Sequence, residues 1–219
     1  TDARKLYVWL PDGGDPNEHL MEAGVRPFLL LTNCEYIHIA GLHLLHGHSS
    51  ARISWPSCWL HGAHNVMEDC TIEWCDFIGL SLSGYDNTVR RCRLNHNGNS
   101  GMGGGGWDNR VLDCEVSWNN WRRWSPSWHA GGMKIIPSAH GWTVSGCTVE
   151  HNIESDGIWF DAANANILIQ NNLCRYNDGN GIHYEISERG LIRNNVCIQN
   201  KGRGIYLSSS SDTIILHNL

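Results

Sequence analysis

Charge is scarce in this sequence. Only 17% of its 219 residues are Asp, Glu, Lys or Arg, the formal balance is −6, and no long run of Lys or Arg occurs. The electrostatic footprint of a nucleic-acid binder is therefore missing. Long apolar runs are missing too: no stretch nears the roughly 18 residues a membrane span needs. The opening TDARKLYVWL lacks the features of a signal peptide. Nine cysteines occur without one CxxC pair, which removes the usual zinc and thioredoxin-like spacings. An odd count also leaves at least one thiol unpaired within the chain. Phe is rare, at 3 residues, whereas Trp numbers 11, with Trp118, Trp121, Trp124 and Trp128 crowded into one stretch.

What is present is a repeat. The segments MEDCTIEWC, VRRCRLNHN, VLDCEVSWN, VSGCTVEHN, IQNNLCRYN and IRNNVCIQN align on one column: Cys70, Cys92, Cys114, Cys147, Asn172 and Asn195, with Asn218 in the same phase. Successive steps are 22, 22, 33, 25, 23 and 23 residues. Five residues further on runs a second column of Cys75, Asn97, Asn119, Asn152, Asn177 and Asn200. Within each unit apolar and polar residues alternate, which is a strand signature, and helical periodicity is absent. The expected fold is all-β: a parallel β-solenoid with coils of about 22–25 residues, two or three short strands each. Asparagine suits such turns because it tolerates left-handed backbone and its amide can bond the equivalent amide one coil away. Cysteine in an inward column acts as a small apolar residue, so stacked buried thiols are expected rather than disulfides.

The pattern resembles the right-handed parallel β-helix family of pectate lyases, pectinesterases, several glycoside hydrolases and alginate epimerases. The resemblance covers residues 33–219; residues 1–32 read as a lead-in to the first coil. The chain stops at LHNL without a polar cap, so the β-helix is expected to be truncated at that end, as a piece of a longer protein.

After most asparagine turns comes a glycine and another strand: GLSLS, GMGGG, GMKII, GIWFD, GIHYE and GIYLS. Alternation sends the first and third residues after the glycine inward and the second and fourth outward. One outward column then holds Lys134, Trp159, His183 and Tyr206. The other brings Asp161 and Glu185, 24 residues apart, onto adjacent coils about 4.8 Å apart. Like charges stacked directly are destabilising, so their placement among Lys, His, Trp and Tyr calls for a reason, and catalysis supplies one. Two carboxyls about 5–5.5 Å apart suit a retaining glycosidase. The 33-residue step contains an insertion of about ten residues, which falls in SWNNWRRWSPSWHAGG and is expected to overhang the same face. Its Trp121, Arg122 and Trp124, together with Trp107 beside the GMGGGGW coil, are candidate sugar contacts. His96 and His151 are expected to stack structurally, Asp156 to cap its turn, and His61 and His64 have no evident third metal ligand.

The pair in GIWFD and GIHYEIS resembles the catalytic pair of β-helix glycoside hydrolases of the β-xylosidase type. That resemblance implies Asp161 as nucleophile and Glu185 as acid/base, although such enzymes usually add a second domain that shapes the pocket. Two other readings stay open. One is a polysaccharide lyase or uronate epimerase with Lys134 or an Arg as base and calcium held at Asp156 and Asp161. The other is a non-catalytic carbohydrate-binding or structural solenoid. The expected partner in each carbohydrate reading is a poly- or oligosaccharide, with no nucleic acid and no membrane. No metal or other cofactor is expected for a hydrolase, and the family resemblance implies an extracellular or periplasmic setting.

Overall fold

The structure, a computed structural model, describes residues 8–10, 12–21, 26, 28–49 and 56–219. Most of the lead-in falls outside these residues. Its described part contains one 3₁₀ turn, Pro16–Glu18, whose N-terminus is capped by the Asp15 carboxylate.

From Leu30 onward the chain winds through three parallel sheets of eight, eight and seven strands. One coil comprises Asp156–Asp161, Leu168–Gln170 and Leu173–Arg175. The next repeats it with Ile182–Glu185, Leu191–Arg193 and Val196–Ile198. Each strand pairs in register with the strand one coil away, because the repeat length matches one circuit. In the second sheet Met67, Val89, Val111, Val144, Ile169 and Ile192 form one column. All six are buried. The core is thus a stack of like residues, each worth about 1.5–3 kcal/mol when removed from water.

The coils turn at asparagines, as expected. Asn97, Asn119, Asn152 and Asn177 each donate from Nδ2 to the Oδ1 of the next ladder member at 2.8–3.1 Å, ending at Asn200. The same Oδ1 atoms accept a backbone N–H from the previous coil. The column that begins at Cys70 continues from the Cys147 N–H to Asn172, Asn195 and Asn218. A third ladder was not anticipated. Asn65, Asn87 and Asn109 hang on one another through backbone N–H bonds of 2.9 Å. Asn164 takes up the position at the Ala139 N–H.

Among the described residues every cysteine is free, and only Cys34 is exposed. The neighbouring Cys114 thiol and burial push the Cys92 thiol well above its ordinary value. Burial does the same to Cys58. His96 and His151 stack as expected, and within a longer file than expected. Rings follow one another in the order Trp74, His96, Trp118, His151 and Tyr176, with centroids 4.3–6.3 Å apart and planes within 17° of parallel.

Candidate functional site

The first sheet carries the outward residues of interest. Its register aligns Trp59, Ser81, Gly103, Lys134, Trp159, His183 and Tyr206 in one column. Beside it Asp161, Glu185 and Ser208 pair across three successive strands. The inward partners Ile158, Phe160, Ile182 and Tyr184 are fully buried, which anchors the alternation. Asp161 and Glu185 therefore project from equivalent positions on neighbouring strands.

The column beside them packs more tightly than an open binding face. The Lys134 ammonium lies 3.2 Å from the centre of the Trp159 ring. It also approaches Asp161 Oδ2 at 3.1 Å and donates to the Trp128 carbonyl at 2.7 Å. On the other side of Trp159 the His183 ring stacks at 5.0 Å, with Tyr206 beyond it at 4.7 Å. Arg203 covers the Tyr206 ring at 4.4 Å. Both faces of Trp159 are thus taken, and it offers no open platform to a sugar ring. Its indole Nε1–H instead donates to Glu185 Oε2 at 3.1 Å. Lys134, Trp159 and His183 are 4%, 3% and 7% exposed, whereas the Asp161 and Glu185 side chains keep 15% and 26%. The carboxylates thus stay partly open to solvent, while their neighbours are buried beneath them.

Burial pulls the Lys134 ammonium below its ordinary range, opposed by Asp161, Glu185 and Asp156. His129 is lowered by burial and then by the Lys134 charge. His183 Nδ1 lies 2.8 Å from Asp156 Oδ2, and its Nε2 lies 2.9 Å from Ser208 Oγ. A carboxylate can only accept, so the His183 proton sits on Nδ1. Asp156, expected to cap its own turn, instead accepts the Asn180 backbone N–H one coil on and fixes this ring.

Left-handed residues recur at the turns of the coils, and the backbone immediately after the pair contains three of them. Ala162 and Ala163 lie in the left-handed region at φ 63° and 60°, and Ile186 at φ 44°. Among these turn residues a β-branched side chain is an outlier, and Ile186 is one.

A cleft of about 560 Å³ opens on the same face toward the N-terminal coils, with Lys134 at its edge. Its floor is Gly103–Gly106, and Trp59, Trp107 and Trp128 stand around it. The inserted loop does overhang the sheet, but its residues divide. Trp128 and His129 line the cleft. Trp124 instead packs edge-on against Phe77, at 5.5 Å. Arg122 lies over Trp121 and pairs with Asp76, so neither is turned toward the candidate pair. Trp107 borders the cleft and is 57% exposed. Trp59, His61 and Trp128 were missed by the sequence reading. Trp59 and His61 stand in SCWLHG, whose strand has Ser57 where later coils have the marker glycine, and Trp128 follows no repeat.

A calcium site requires six to eight oxygen ligands, and the residues present do not fit one. Asp156 is committed to Asn180 and His183, Asp161 faces Lys134, and among the described residues no group of three or more acidic, His or Cys side chains could hold a metal ion. His61 and His64 turn to different partners, Ser83 and Asp86.

With this geometry in hand, comparison with known proteins defines the family. The family description "Right handed beta helix region" matches residues 58–219. This chain belongs to that family. It is similar in structure to the A-module of the Azotobacter vinelandii mannuronan C-5 epimerase AlgE4. The identity is 13%, the TM-score 0.64, and the match covers 88% of this chain and 64% of that one. It is also similar to the pectate lyase Pel9A at 16% identity and TM-score 0.62, covering 92% of this chain and 67% of that one. This chain therefore spans about two thirds of their lengths, and at these identities the likeness establishes fold alone. No curated protein matches the sequence.

Proposed function

We propose that this chain carries the catalytic face of a carbohydrate-active β-helix enzyme, a retaining glycoside hydrolase. The observation that carries the reading is the paired register of Asp161 and Glu185 on adjacent parallel strands. Strand separation of about 4.8 Å brings two such carboxyls to the short spacing of a retaining pair. Asp161 attacks the anomeric carbon and forms a glycosyl ester, while Glu185 gives its proton to the departing glycosidic oxygen. Glu185 then takes a proton from water, which attacks the same carbon, breaks the ester and restores Asp161. Lys134 supplies the counter-charge to an anionic Asp161 and has no proton-transfer role. Trp159 holds the Glu185 carboxyl through its indole N–H, and His183, fixed by Asp156, backs the indole.

Asp161→Asn and Glu185→Gln should each lower turnover of a cleaved oligosaccharide by about a thousandfold or more, while binding persists. Azide added to Glu185→Ala should yield a glycosyl azide of retained configuration, read by NMR. Full turnover in either substituted chain would end this reading.

The lyase or epimerase reading has one specific observation in its favour: Lys134 is lowered by burial, as a general base requires. Against it, the ammonium already meets Asp161, the Trp128 carbonyl and the Trp159 face. A base must have a free approach to substrate, and this one is enclosed. The extracellular or periplasmic setting and a polysaccharide partner belong to the same proposal. Among the described residues no helix is long and apolar enough to cross a membrane.

A further inference from the structure

Gly103 is a glycine that its backbone does not require. Its φ is not left-handed, and a Cβ there would meet the Lys134 carbonyl at 3.4 Å and Ile78 at 3.7 Å, which are ordinary contacts. Gly104, next to it, is different: at φ 147° an added Cβ would fall 1.9 Å from the Leu82 carbonyl. Gly104 is therefore structural, whereas the missing side chain at Gly103 serves only to open the outward column between Ser81 and Lys134. That opening is the floor of the 560 Å³ cleft, a size that suits a small ligand.

The walls are apolar and the charges are absent or spent. Trp128 is 70% exposed and Trp107 57%. Among the described residues the lining holds no Arg, Asp or Glu. Its single lysine, Lys134, is paired with Asp161. His61 Nδ1 is bonded to Ser83 Oγ at 2.9 Å, and the lowered His129 adds no cation at neutral pH. A uronate entering this cleft would leave its carboxylate without a partner, which is costly in a partly buried place. A sugar bearing only hydroxyls would lay its C–H faces on indole and meet serine hydroxyls at the floor.

We propose that this cleft binds a neutral oligosaccharide, of pentose or hexose units without carboxylates, and that Gly103 is a specificity-determining residue for it. The assignment rests on the hydrolase reading only in placing the cleft beside the bond to be cleaved.

Binding is measured by titration calorimetry on the Glu185→Gln chain, which removes turnover from the readout and keeps the Lys134–Asp161 pair intact. Xylohexaose, cellohexaose and mannohexaose are compared with hexagalacturonate and hexamannuronate. At least one neutral hexamer should bind about ten times more tightly than either uronate. Adding Gly103→Leu, or separately Trp128→Ala, should weaken that binding about tenfold or more with little change in thermal midpoint. Trp128 lies exposed on a loop, so its replacement keeps the test sound should the Gly103→Leu substitution disturb folding. Uronates binding as tightly as every neutral hexamer would overturn the inference. So would the absence of binding by any neutral hexamer, or binding indifferent to both substitutions. A wild-type chain that binds in the expected pattern yet releases no product would remove the hydrolase chemistry and leave the neutral cleft standing.

Discussion

A carboxylate on a solenoid surface is ordinarily a solvated group, and Glu154 is one, meeting the exposed Arg123. Asp161 and Glu185 differ because each is held by a side chain that is itself buried, Lys134 in one case and Trp159 in the other. Such support fixes geometry, which catalysis needs more than charge alone. Trp159→Phe keeps the ring between Lys134 and His183 but removes the N–H that holds Glu185. It should lower kcat about tenfold or more, leave KM nearly unchanged and shift the pH profile of kcat, whereas a merely structural role would alter stability and not the profile. Ile186 makes a second prediction at this scale. Left-handed backbone costs an L-residue roughly 1–2 kcal/mol, and Asn tolerates it better. Ile186 is 53% exposed, so little burial is lost on replacement. Ile186→Asn should raise stability by about 1 kcal/mol in denaturant titration, and a fall would show that the φ of 44° is not a strain.

At the scale of the element, the ladders were legible because identical residues recur at the coil length. The Asn119 amide links Asn97, Asn152 and the Leu94 carbonyl, all buried. Asn119→Leu leaves the buried Asn97 backbone N–H without its acceptor, while the Asn97 amide keeps the Ile72 carbonyl, a loss of roughly 1–3 kcal/mol for the orphaned group. Chemical unfolding checks it, and a change below about 1 kcal/mol would mean the ladder only decorates the turn. Outside the ladders, Glu68 accepts from Arg90 and Arg91 at 2.6 Å each and from His38 at 2.7 Å. The hydrogen bonds from Arg90 and then Arg91 hold its carboxyl at about 2, against an ordinary 4.5. With the folded value depressed, its contribution is full above about pH 4.5 and is lost as pH falls toward 2. Glu68→Gln should flatten the stability profile in that window and leave its shape above about pH 5 unchanged. The third ladder escaped sequence reading because Asn65, Asn87 and Asn109 follow left-handed His64, Asp86 and Asp108, so no constant neighbour marks them.

Across the whole molecule, sequence periodicity was enough for fold and register, since a solenoid translates spacing along the chain directly into adjacency in space. That is why two carboxylates 24 residues apart could be placed side by side. Packing across the face was not legible in the same way. Whether an outward tryptophan presents its face or hides it depends on its neighbours' rotamers, and Trp159 is enclosed where Trp128 is open. The loop that carries Trp128 obeys no period, so its landing on Lys134 was beyond any column. The cleft joins both kinds of information: a glycine fixed by register and a wall of tryptophan fixed by the fold.

The most direct test of the central claim is to digest neutral oligosaccharides in water enriched in the heavy isotope of oxygen and read the products by mass spectrometry. Hydrolysis through Asp161 and Glu185 should place one heavy oxygen on each new reducing end, with the signal lost in Asp161→Asn and in Glu185→Gln. Products carrying an unsaturated end and no heavy oxygen, or labelled products that persist in both substituted chains, would contradict it.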